Sequence, residues 1–79
     1  MDNDLRISDR NISGYWNVTY ESKTKWKAMI PGGKGKMIAK KDGGGTFYTA
    51  KEAAYVLKRY CKINGIKYVP SNVSYENTN

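Results

Sequence analysis

Histidine is absent from these 79 residues, and Cys61 is the sole cysteine. Zinc held by the usual histidine and cysteine ligands is therefore excluded. So are a disulfide within the chain and a Ser-His or Cys-His catalytic unit. A lone thiol suits a reducing compartment better than a secreted, disulfide-stapled scaffold, and Cys61 reads as a small core residue. Long apolar runs are also missing. Nothing approaches the roughly 20 residues of a membrane span, and Met1-Asp2-Asn3-Asp4 does not read as a secretion signal. Acidic residues are few: Asp2, Asp4, Asp9, Glu21, Asp42, Glu52 and Glu76 show no catalytic spacing. The expectation is a protein that is not an enzyme, with no metal, cofactor or small-molecule substrate. A chain this short buries only about 60% of its unfolded surface, which leaves little room for a deep pocket.

Positive charge is plentiful and localised. The net charge is +7. Residues 22–41 contribute Lys23, Lys25, Lys27, Lys34, Lys36, Lys40 and Lys41 with no acidic residue among them, while 1–21 net −2 and 42–79 net +2. Such a block repels itself unless a polyanion neutralises it. Nucleic acid is the first partner to consider, and an anionic membrane surface the second. A solvated lysine face kept for solubility is the plain alternative.

Residues 1–13 are polar and read as a flexible N-terminal arm; 71–79 read as a flexible tail. The domain is expected over 14–70, as if cut from a longer chain. Trp16, Val18 and Tyr20 alternate with Asn17, Thr19 and Glu21, a strand pattern. Glu21 to Thr24 reads as a turn. Trp26, Ala28 and Ile30 then alternate with Lys25, Lys27 and Met29 in a second strand. After the turn signal Pro31 to Gly35, residues Lys36 to Lys41 are expected as a third strand of undetermined facing. Asp42 to Gly45 is a flexible loop without phosphate-loop spacing. Thr49-Ala50-Lys51-Glu52 is a capping box opening a helix to about Ile63, stopped by Asn64-Gly65. Ala50, Ala53, Ala54, Leu57 and Cys61 form its inner stripe, and Lys51, Tyr55, Lys58, Arg59 and Lys62 its outer one.

The expected fold is α+β: a three-stranded antiparallel β-sheet with one C-terminal amphipathic α-helix packed on one face. Small residues let the helix lie close, with Ala28 matching the helix alanines. The uncovered face then carries Asn17, Thr19, Lys25, Lys27 and Met29, with Lys23, Lys34, Lys36, Lys40 and Lys41 around it. A polar face of this kind suits the major groove of DNA, which admits a β-ribbon. Lysines reach phosphates or guanine, Asn17 can pair with adenine, and Thr19 or Met29 can touch a thymine methyl.

The run Gly45-Thr46-Phe47-Tyr48-Thr49-Ala50-Lys51-Glu52-Ala53-Ala54, together with Gly14-Tyr15-Trp16-Asn17-Val18 and Trp26-Lys27-Ala28-Met29-Ile30, resembles the APETALA/ethylene-response-factor DNA-binding domain over roughly residues 14–70. The resemblance implies a sheet that reads duplex DNA in a transcription factor, with Asn17, Thr19, Lys27 and Met29 at or beside base-reading positions. Plant members carry several arginines in the sheet and an aromatic residue before the GTF run. Here the sheet has lysines, and Asp42-Gly43-Gly44 precedes the run, so plant-type base contacts do not carry over wholesale. Divergent apicomplexan members vary around the same core. Localisation is nuclear in that case for a eukaryote and cytoplasmic otherwise, with binding as monomer or homodimer. Two other readings stand: an accessory DNA-binding domain of an integrase or homing endonuclease, and a protein-interaction module without nucleic acid. Three glycosylation sequons, at Asn11, Asn17 and Asn72, read as chance in an asparagine-rich chain.

Overall fold

Tyr20 and Trp26 meet edge to face, ring centroids 5.1 Å apart, across an antiparallel hairpin. Its strands are β1 (Val18–Ser22) and β2 (Lys25–Ala28). The computed structural model describes residues 4–71. Val18 lies opposite Ala28, Thr19 opposite Lys27, and Ser22 opposite Lys25 around the two-residue turn Lys23-Thr24. Glu21, expected in the turn, is instead the extra residue of a bulge within β1. The strand also starts later than the alternation suggests. Asn17 adopts φ 57, a left-handed conformation that asparagine tolerates better than most residues, so it lies just ahead of β1.

The third strand departs further from expectation. β3 is Thr46–Phe47, paired with Lys27 and Trp26, not the run Lys36 to Lys41. The sheet order is β1-β2-β3. Met37 does approach this edge, bridging Met29, and the Ile38 N–H donates to the Ala28 carbonyl at 2.9 Å. The chain then leaves the sheet, makes one 3₁₀ turn at Lys40–Asp42, and returns where the Gly45 N–H reaches the Ile38 carbonyl. Ile38 is fully buried, whereas the charged Lys40, Lys41 and Asp42 are exposed and loop into solvent. Gly44 is required by close approach, because a Cβ there would overlap the Ile38 carbonyl oxygen.

Helix α1 (Ala50–Ile63) has the expected bounds. Thr49 Oγ1 accepts from the Glu52 N–H at 3.2 Å, and Glu52 Oε1 accepts from the Thr49 N–H at 3.1 Å. At the other end Gly65 has φ 69, and the Ile66 N–H donates to the Cys61 carbonyl at 2.9 Å, closing a Schellman turn. Ala53, Ala54, Leu57 and Cys61 are buried against Val18, Ala28 and Ile38, with Trp26 and Phe47 packed alongside. Burial raises the Cys61 thiol pKa above its ordinary value.

The N-terminal expectation needs correction for the described residues. Leu5 is fully buried in the core. Ile7 bridges Tyr15, and the Trp16 N–H donates to the Arg6 carbonyl. The Arg6 guanidinium carbon sits 4.6 Å from the centroid of the Trp16 ring. Residues 68–71 close over this segment. The Arg6 N–H donates to the Tyr68 hydroxyl at 2.7 Å, and Ser71 exchanges bonds with Leu5 and Ile7. A polar stretch with one well-placed leucine is therefore part of the packed unit, which begins ahead of Gly14. Of the expected arm, residues 1–3 lie outside the described residues; of the expected tail, so do 72–79.

Candidate nucleic-acid interface

The pairing register sorts the sheet residues by side. Val18 and Ala28 point to the helix, so Thr19, Lys27 and Thr46, aligned across the three strands, point away from it. This row is the centre of the uncovered face. Toward the hairpin turn lie Glu21, Lys25 and Tyr48; Lys25 and Tyr48 line one shallow depression with Thr24 and Thr46. At the other end lie Met29 and Met37, bridged to each other, half-buried, and outside the core cluster.

Of the sequence-derived candidates, Thr19, Lys25, Lys27 and Met29 come together on this face. Lys23 sits in the turn beyond it. Lys34, at φ 55, and Lys36 lie in the connection at the opposite end, both exposed. Lys40 and Lys41 ride on the 3₁₀ excursion and not on a strand. Asn17 is at the edge, half-buried, with its side-chain amide 3.4 Å from the Met29 carbonyl oxygen while its own carbonyl accepts from the Met29 N–H. That local duty competes with pairing to a base.

Four face residues escape the sequence reading. Glu21 reaches Lys27, with Oε1 3.6 Å from Nζ, and so offsets a central positive charge. Both side chains are partly exposed, so the pair contributes at most about 1 kcal/mol to stability. Met37, Thr46 and Tyr48 join the face because the edge of the sheet is assembled from two separated pieces of chain. Only the alternation of Thr46 and Tyr48 about Phe47 hinted at this. Tyr48 is 78% exposed, unusual for so large a ring. Among the described residues no group of three Cys, Asp or Glu side chains is placed to hold a metal ion.

Comparison with protein-family models, with curated proteins and with solved structures finds no match to this chain.

Proposed function

We propose that this chain is a sequence-specific double-stranded DNA-binding module of a transcription factor, its open sheet face seated in the major groove. The observation that carries the reading is the row Thr19, Lys27 and Thr46, flanked by Lys25 and Met29, on the side of the sheet away from the helix. Three strands at about 4.8 Å spacing span roughly 10 Å between outer strand axes, which suits a groove about 12 Å wide. Lys25, and Lys23, Lys34 and Lys36 at the two ends, serve the phosphates; Lys27, Thr19 and Met29 face base edges, the methionine beside thymine methyls. Lys40 and Lys41 contribute to the field from the excursion. Asn17 shapes the entry to β1. The resemblance of the run Gly45 to Ala54 to the APETALA/ethylene-response-factor domain supports the same reading, and with it a nuclear location in a eukaryotic cell.

Selection from a randomised duplex pool, followed by anisotropy titration of the recovered site at two salt concentrations, tests it. A recovered motif with salt-dependent affinity supports the reading. Enrichment of no motif overturns it.

A further inference from the structure

The outward side of α1 carries a second surface that the sheet does not use. Tyr55, Val56, Lys58, Arg59 and Lys62 line an open groove of about 430 Å³. Beyond Lys58 and Lys62, which belong to both, a smaller depression of about 240 Å³ is bounded by Ile66, Tyr68 and Pro70. The two meet at Lys58 and Lys62, one helical turn apart, as a trough with apolar patches and a basic rim. No residue lining either part is acidic. Tyr55 is 42% exposed, although its inward neighbours Ala54 and Leu57 are fully buried.

We propose that this trough docks an acidic, apolar-anchored peptide segment of a partner protein. One apolar side chain of the segment rests against Tyr55 and Val56, and its carboxylates meet Lys58, Arg59 and Lys62. Charge complementarity selects this occupant: the basic rim attracts an anion, and the apolar floor accepts a side chain that a phosphate backbone does not supply. The position fits as well. α1 lies between the Tyr55–Lys62 part of the trough and the sheet, so a helix diameter of about 10 Å separates that part from the open face. A duplex on that face and a peptide on α1 can be held together. The proposal does not depend on the DNA reading.

The test is anisotropy on the intact chain with a fluorescein-labelled peptide of about twelve residues alternating aspartate with leucine and phenylalanine. Its control replaces the leucines and phenylalanines by serine and keeps the charge. The acidic-apolar peptide should bind at least about tenfold more tightly than the control. Tyr55→Ala, and separately Lys58→Glu with Lys62→Glu, should each weaken it by about tenfold, while Lys25→Ala with Lys27→Ala on the sheet changes it less than about twofold. Thermal melts of the variants establish that they remain folded. Equal binding of the serine control, no binding, equal loss in the sheet variant, or displacement by duplex DNA overturns the proposal.

Discussion

The Gly45 N–H donates to the carbonyl oxygen of Ile38 at 3.1 Å and the Gly44 N–H to that of Ala39 at 2.8 Å, so residues 39–44 form a loop pinched shut at the sheet edge. Ile38 is fully buried, and Phe47, two residues after Gly45, packs against the same core. The pinch lets a lysine-bearing excursion leave the sheet without costing the core either anchor. Gly44 is the tightest point, where a Cβ would meet backbone that cannot rotate away. Gly44→Ala should destabilise the fold by about 2 kcal/mol or more. A urea melt checks this; a midpoint equal to that of the parent chain would mean that the pinch is open in solution.

The ion pair between Glu21 and Lys27 makes a second prediction. Glu21→Gln frees the Lys27 charge and removes a carboxylate from the face proposed to meet DNA. Duplex affinity should rise by a factor of about 2–10 at low salt, with the gain shrinking as salt screens it. Stability should move by less than about 1 kcal/mol. Unchanged affinity at every salt concentration would place the duplex elsewhere.

Leu5 tests the N-terminal packing. Leu5→Ala should cost about 2–5 kcal/mol, as expected for a fully buried leucine. Ile12→Ala, at a side chain 80% exposed, should change stability by less than about 0.5 kcal/mol. Equal thermal midpoints for the two variants would return residues 4–13 to the role of a loose arm.

Ala54 joins the helix to the sheet. It is fully buried in the cluster that contains Ala28. Ala54→Leu adds three heavy atoms there and should cost about 1–3 kcal/mol, weakening DNA binding although every basic residue is kept. Saturating duplex should restore part of the melting temperature, since a ligand of the folded state stabilises it. An unaltered melt would mean that the helix has room to move off the sheet.

Alkaline pH should destabilise the protein through the buried Cys61 and the half-buried Tyr68. Burial raises the pKa of the Cys61 thiol, and burial also raises that of Tyr68, partly offset by the hydrogen bond from the Arg6 N–H. Each group then holds its proton longer folded than unfolded. Their contribution is complete below the ordinary values, about pH 9 for the thiol and about pH 10 for the phenol, and is lost as pH rises through the higher folded values. Melting temperatures measured from pH 8 to 11 should fall across that window, and the part due to the thiol should disappear in Cys61→Ala.

Local signals carried the helix and the first hairpin. Thr49 and Glu52 cap the helix through bonds to each other, and Gly65 ends it by its own φ, so cap, stripe and stop are all written within a few residues. The alternation Val18, Tyr20 and Trp26, Ala28 likewise marked the helix side of two strands, and with it the placing of Thr19, Lys25, Lys27 and Met29 on the other. What tertiary structure decided is everything that depends on partners distant in the chain. Leu5 stands alone in a polar stretch with no periodicity, and it is buried because Tyr15, Trp16 and residues 68–71 close around it. Lys36 to Lys41 have strand-like composition, yet only Lys36, Met37 and Ile38 reach the sheet edge, beside Ala28 to Ile30, and Thr46 and Phe47 complete it beside Lys27 and Trp26. Glu21 beside Lys27 follows from a bulge, and a bulge is a compromise between two strands. A residue's own neighbours fix the conformations it prefers, but which side of a sheet it faces and which charge it meets depend on a register closed by contacts elsewhere in the chain.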